Sequence, residues 1–177
     1  LRGFDSVDEK EYLTDAFRRE GLAFVDKHAK EPWFLYWTFN AVHTPMHAIE
    51  KYLQRFPDVK EPGRQKYCAM MAAMDDAIGA MLDKLRALKL EENTLIFFVS
   101  DNGGPPVNSS SNGVLRGYKA QTWEGGIRVP YFVQWKSKLP AGKVYDQPVI
   151  QLDFLPTALA AAGVDVKPDW KLDGVNL

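Results

Sequence analysis

An α/β domain with a mostly parallel sheet flanked by helices is the fold class this sequence predicts, and three observations carry it. Short apolar runs alternate with helix-period stretches, the pattern of strands joined by crossover helices. Residues 33–39, "WFLYWTF", and 94–100, "TLIFFVS", are continuous apolar runs, as strands buried on both faces are. Residues 64–90 repeat apolar side chains every three or four positions, the period of a long amphipathic helix.

The elements follow in chain order. Residues 10–29 show helical spacing through Tyr12, Leu13, Ala16 and Phe17 and again through Leu22, Phe24 and Val25, with Gly21 in the middle and Pro32 ending the pattern. Strand 33–39 runs into a loop, 40–48, where Pro45 prevents regular continuation. The long helix has Tyr67, Met70, Met71, Met74, Ile78, Met81, Leu82, Leu85 and Leu88 recurring at three- or four-residue steps. Strand 94–100 then opens a long loop, 101–126, rich in Gly, Ser and Asn, and loops of that length inside compact domains are usually functional or disordered. Residues 128–135, "RVPYFVQW", read as a third strand near a sheet edge, because Pro130 cannot donate to a ladder. Residues 147–163 read as a short strand followed by a helix capped by Asp153 and ended by Gly163.

Bulk properties exclude several roles. With 22 basic and 23 acidic residues, the formal net charge of −1 offers no basic field for nucleic acid or an anionic membrane surface. No apolar run is long enough to span a bilayer. Cys68 is the single cysteine, so no intrachain disulfide forms. The first residues, "LRGFDSVDEKEY", are not a signal peptide, and both ends are expected to be cuts within a longer chain, making residues 1–177 one partial domain.

In parallel α/β sheets, ligands sit beyond the C-terminal ends of the strands, which is where the loops 40–48 and 101–126 leave. Asp101 and Asn102 put a carboxylate and an amide oxygen side by side, the oxygen donors a hard cation takes; the same pair also suits an Asx turn closing a strand. His43 is either an acid or anion contact or a loop histidine without a task. His47 lies four residues on, with Pro45 between the two arguing against a shared zinc. Lys119, in "RGYKAQTWEGG", is either a point charge for a sulfate or phosphate or a solvated surface lysine; Arg116 and Arg128 carry the same two readings. Trp123 and Tyr118 either stack on a substrate ring or pack. Cys68, in "KYCAMMAAM", reads as a buried structural thiol, and Asp75-Asp76 as a solvated face.

Taken in order, these segments resemble the sulfatase family of the alkaline-phosphatase-like superfamily, over the second half of its catalytic domain. "PWFLYWTFNAVHTPMHA" is similar to the family strand and loop that carry an active-site histidine. "TLIFFVSDNGG" is similar to the strand ending in an Asp-Asn metal pair. "NGVLRGYKAQTWEGGIRVPYFVQW" is similar to the loop with an active-site lysine followed by the Glu-Gly-Gly turn, and "QLDFLPTALAAAG" and "LDGVNL" to blocks downstream.

The resemblance implies a partial alkaline-phosphatase-like sandwich and sulfate-ester hydrolysis. Asp101 and Asn102 would be ligands of a divalent cation, usually Ca²⁺. His43 and Lys119 would contact the sulfate, with His43 protonating the departing alcohol, and His47 would be a further substrate contact. The family nucleophile is the hydrate of formylglycine, made from Cys or Ser in a Cys/Ser-x-Pro-x-Arg motif that this sequence lacks. The family's paired N-terminal aspartates are also without a match. The segment alone is therefore expected not to hydrolyse sulfate esters and to bind Ca²⁺ poorly. Implied substrates are sulfate-ester small molecules or sulfated glycans; the implied location is periplasmic, extracellular or lysosomal. Two other readings stand beside this one: a phosphodiesterase or phosphonate monoester hydrolase of the same superfamily, and a non-catalytic module on a degenerate sulfatase fold.

Overall fold

The structure is a computed structural model that describes residues 3–177. The chain divides into two compact units, residues 3–90 with 104–111, and 91–103 with 112–177.

The first unit is helical. Helix α1 (Leu13–His28) and helix α3 (Pro62–Ala87) pack on one another, and the short α2 (Glu50–Leu53) packs on α3. Pro62 starts α3 with its φ already set, and the Glu61 carboxylate accepts from the Gly63 and Arg64 N–H groups that have no partner inside the helix. The buried stripe of α3 is Ala69, Met70, Ala73, Ala77, Met81 and Leu85, with Ala72 beside it. Met74 and Ile78, which the sequence pattern includes in the apolar period, are half-buried, as are Tyr67, Met71 and Leu82. Ala69 and Ala73 cluster with fully buried Tyr52, with Tyr12, Ile49, Leu53 and Phe56 packed around them. Fully buried Val25, Tyr52 and Leu85 anchor this unit, and each aliphatic side chain so buried contributes roughly 1.5–3 kcal/mol. Cys68 is half-buried on α3 rather than fully buried, Asp75 is exposed, and Asp76 pairs with Arg55 at 2.9 Å.

Residues 33–39, expected as a strand buried on both faces, form no ladder among the described residues. They do alternate with a strand's period. Trp33, Leu35, Trp37 and Phe39 are half-buried, whereas Phe34 and Tyr36 are each 77% exposed. The inward set lies on α1: Trp37 Nε1 donates to the Phe17 carbonyl at 3.1 Å, its ring covers Gly21, and Phe39 meets Phe17 edge-on.

The second unit holds the sheet. Strands β1 (Ile96–Val99) and β2 (Tyr131–Gln134) pair antiparallel, with Ile96 opposite Gln134 and Val99 opposite Tyr131. A mostly parallel sheet is thus not what the described residues form; the long 101–126 connection lets the chain return in the opposite sense. Both strands are shorter than the apolar runs, and β2 begins just after Pro130, whose carbonyl still accepts from Ser100 N–H at 3.2 Å. Helix α4 (Glu124–Ile127) is a single turn ahead of β2. The strand expected at 147–150 is absent: the chain passes into a 3₁₀ turn, Gln151–Asp153, and then α5 (Phe154–Ala161). The Phe154 ring packs on Phe97 and Tyr131, with centroids 4.7 and 5.5 Å away, joining α5 to the sheet. Gly163, at φ +70, ends the helix as the sequence predicts.

Asp153 acts differently from the simple cap expected of it. Buried, it accepts from Ile150 N–H at 2.9 Å and from Val175 N–H at 2.8 Å, tying the C-terminal residues to the start of α5. These bonds hold its carboxyl below the usual carboxylate range.

Candidate active site

Asp101 and Asn102 leave the end of β1 in a tight turn of the second unit. Asp101 Oδ1 accepts from Asn102 N–H at 2.9 Å, Ser100 Oγ donates to the Asn102 carbonyl at 2.9 Å, and Asn102 Nδ2 donates to the Gly103 carbonyl at 3.2 Å. Gln151 Nε2 reaches the carbonyls of both Ser100 and Asp101 at 3.3 Å, a brace that no motif in the sequence announces. Asp101 Oδ1 thus bonds the next residue's N–H and not the one two on, so the chain bends sharply here without the Asx turn that the sequence offers. Those bonds still leave Asp101 Oδ2 and Asn102 Oδ1 without a donor among the described residues, so bend and cation ligation are compatible in one structure.

The turn is pinned to the lysine loop through glycine. Gly103 N–H donates to the Gly126 carbonyl at 2.9 Å, and a Cβ on Gly103 would stand 1.7 Å from the Gly125 carbonyl oxygen. Gly125 N–H in turn donates to the Arg116 carbonyl at 2.7 Å. A Cβ on Gly125 would lie 2.2 Å from the Gly117 oxygen, and one on Gly126 2.1 Å from the Gln121 oxygen. Three stretches of backbone approach more closely than any side chain allows, which is why the loop is written with glycines at these places.

Lys119 is half-buried in that loop. Its neighbour Ala120 has φ +70, a left-handed conformation that costs an alanine about 1–2 kcal/mol. The surroundings hold it there: Asn112 Nδ2 donates to the Gly117 carbonyl at 3.0 Å, and Gln121 N–H to the Tyr118 carbonyl at 3.0 Å. Arg128 is engaged by Glu124 at 3.0 Å, one helical turn away. Arg116 instead lies over the Trp123 ring, its Cζ 3.8 Å from the centroid.

His43 and His47 belong to the first unit and are both exposed. The His43 loop carries cis bonds at Ala41–Val42 and Thr44–Pro45 and is tied down by buried Asn108, whose Nδ2 donates to the Val42 carbonyl at 3.0 Å. His43 Nδ1 lies 2.6 Å from the Thr44 carbonyl. A carbonyl only accepts, so Nδ1 is the donor in this contact. His47 is held by Tyr12: the rings meet edge-on at 5.6 Å, and Tyr12 OH donates to the His47 carbonyl at 3.0 Å.

The donors at Asp101 and Asn102 are of the oxygen type a hard divalent cation takes, and two protein oxygens fall short of its six to eight ligands. No cluster of three or more His, Cys, Asp or Glu suited to a metal occurs among the described residues. The pair fits a cation in kind and would supply only part of its shell.

Comparisons with known proteins agree on one family. The family model described as Sulfatase matches residues 2–164. An uncharacterized sulfatase of Escherichia coli, YdeN, is 37% identical over 98% of this chain and 31% of its own length. Human N-acetylgalactosamine-6-sulfatase is 36% identical over 93% of this chain and 31% of its own. Among solved structures, Ps i-CgsB in complex with k-i-k-neocarrahexaose superposes with a TM-score of 0.94 at 41% identity, over 98% of this chain and 39% of that one. The PsFucS1 sulfatase from Pseudoalteromonas sp. superposes with a TM-score of 0.81 at 28% identity, over 92% of this chain and 32% of that one. The chain spans about a third of the length of the curated relatives it matches.

Proposed function

This chain belongs to the sulfatase family, with its α/β alkaline-phosphatase-like fold, and we propose from that membership that the whole protein hydrolyses sulfate esters, using Asp101, Asn102, Lys119 and His43. The observation that carries the proposal is the backbone link between Gly103 and Gly126, which ties the Asp101-Asn102 turn to the loop of Lys119 within one unit.

Each residue has a task set by its chemistry. Asp101 Oδ2 and Asn102 Oδ1 would hold a divalent cation, most readily Ca²⁺, which when bound supplies positive charge against the sulfate oxygens. The Lys119 ammonium adds a second positive charge for those oxygens; its half-buried position strengthens the attraction over that in bulk water. When the S–O bond breaks, the electron pair stays on the alcohol oxygen, which must gain a proton. His43 supplies it from Nε2 as the imidazolium, with the Thr44 carbonyl holding Nδ1–H and the ring's orientation. His47 is the weaker substrate contact, since Tyr12 already holds its ring. The nucleophile, a formylglycine hydrate in the family, comes from outside these residues.

A sulfated glycan is the favoured substrate, because the structural neighbour Ps i-CgsB was solved with an oligosaccharide bound. The alternating face of 33–39, with Phe34 and Tyr36 outward, has the form of a strand awaiting a partner, and we assign it to the larger, mostly parallel sheet of the whole protein. A periplasmic, extracellular or lysosomal location belongs to the same reading.

The test is turnover of an aryl sulfate and of a bis-aryl phosphate by the full-length protein, with and without a divalent-metal chelator. D101N and K119A are each expected to lower kcat/KM for the sulfate by about 10²–10³. Sulfate turnover indifferent to D101N and to chelation would refute the assignment, and preferential phosphate-diester turnover would move the protein to the superfamily's phosphodiesterases.

A further inference from the structure

The geometry points to Arg116, seated on Trp123, as a recognition element for a second oxyanion of a saccharide substrate, a sulfate or a carboxylate other than the ester being cleaved. This inference rests on the sulfate-ester reading above for the role of Lys119, and goes beyond it in naming the substrate class as saccharides with at least two anionic groups.

Arg116 differs from several other arginines of the chain in its partners. Arg55, Arg86 and Arg128 each reach a carboxylate oxygen, and Arg64 a carbonyl oxygen. Among the described residues no acceptor meets the Arg116 guanidinium; its one side-chain contact is the Trp123 ring at 3.8 Å. A guanidinium over a ring face keeps its N–H donors at its own edge, so the contact orients the cation without using a single donor. The planar fork is thus left to receive two oxygens of an oxyanion at once.

The platform is built, not incidental. The Arg116 carbonyl accepts from Gly125 N–H at 2.7 Å, and the Trp123 carbonyl from Gly126 N–H at 2.7 Å, so both residues are tied by their backbones to the two glycines of α4. Gly117, between Arg116 and Lys119, has φ +90, and a Cβ there would lie 2.7 Å from the Trp123 Cβ. Only glycine brings the indole this near to the loop. Trp123 is 50% exposed and Arg116 is also exposed, so both are reachable by a ligand. The nearest carboxylate in sequence, Glu124, is already occupied by Arg128. Arg116 stands three residues before Lys119 in one short, glycine-pinned loop of a chain whose overall charge is close to zero. An aryl monosulfate has one anion to offer such a loop; a multiply anionic saccharide has two.

The experiment uses the full-length protein and three oligosaccharides of one backbone: monosulfated, disulfated, and monosulfated with a uronate carboxylate. The quantity read is the ratio of kcat/KM for each doubly anionic substrate to that for the monosulfated one, with calorimetric affinities measured alongside. R116A is expected to lower that ratio about ten-fold, through KM and not kcat. R116K should lower it less, since it keeps a charge but loses the fork, and W123F less again. A loss confined to the disulfated substrate assigns sulfate, and an equal loss on the uronate assigns any oxyanion. An unchanged ratio for both in R116A overturns the proposal. Should R116A unfold early, R116K carries the test, because it keeps the aliphatic stem. Arg116-dependent binding of the disulfated saccharide without any turnover would sink the hydrolase reading and leave this one standing. Turnover with an Arg116-independent ratio would do the reverse.

Discussion

Replacing Gly103 by alanine is the sharpest test of how this site is assembled. Gly103 is buried and has no left-handed φ, so its identity is set by space alone. The added Cβ would sit 1.7 Å from the Gly125 oxygen, 2.7 Å from its carbonyl carbon and 2.9 Å from the Gly126 Cα. All three are backbone atoms of a segment itself pressed against Arg116 and Gly117, so no side chain can swing away. Overpacking of this kind costs about 1–3 kcal/mol. Moving the two segments apart also breaks the 2.9 Å bond from Gly103 N–H to the Gly126 carbonyl, and a buried donor left unpaired costs about 1–3 kcal/mol. Alanine recovers about 0.4–1 kcal/mol by restricting the unfolded chain. The net expectation is a loss of ~1–5.5 kcal/mol, together with displacement of the adjacent Asp101 and Asn102. The assay is urea unfolding of the full-length protein, run beside Gly79→Ala. Gly79 lies inside α3, where an added Cβ meets nothing within 4 Å, so that change should stabilise by about 0.5–1 kcal/mol. If G103A unfolds at the wild-type midpoint while G79A is stabilised, the steric account of the loop is wrong.

Other substitutions probe each unit. Tyr52 is fully buried and donates to Asp15 Oδ1 at 2.5 Å; Y52F should cost about 0.5–1.5 kcal/mol by equilibrium unfolding, with little change in packing. Lys136, itself partly exposed, pairs at 2.7 Å with the buried carboxylate of Glu91, and K136M should cost about 1–3 kcal/mol by taking a donor from that carboxylate, with K136R restoring most of it. Asp153 has its carboxyl held low by the Ile150 and Val175 amides, so its contribution is complete above the ordinary carboxylate range near pH ~4 and lost as pH falls through the lower folded value. D153N should therefore weaken the protein at neutral pH and flatten its acid limb, read as unfolding midpoints between pH 3 and 7; a parallel limb would contradict this assignment.

The sequence by itself determined the local elements and the chemistry on offer. Helical period located α1 and α3 to within three residues, because a long amphipathic face repeats many times. Gly163 marked the end of α5, because a left-handed residue there nearly requires glycine. The residues Asp101, Asn102, Lys119 and His43 were legible as a set only through their order along a family pattern; singly, each suited a turn or a surface. Tertiary structure decided the rest. Whether "WFLYWTF" is a strand depends on a neighbour with free N–H and C=O groups, which no local run encodes, and here it lies on α1 with one aromatic face outward. That Ala69, Ala73 and Ala77 are fully buried while Met74 and Ile78 are only half-buried follows from which neighbours each meets. That Gly103 must be glycine, and that Arg116 rests on Trp123 instead of a carboxylate, follow from three segments meeting in space. Pattern reports what a segment can bury; only the fold reports against what.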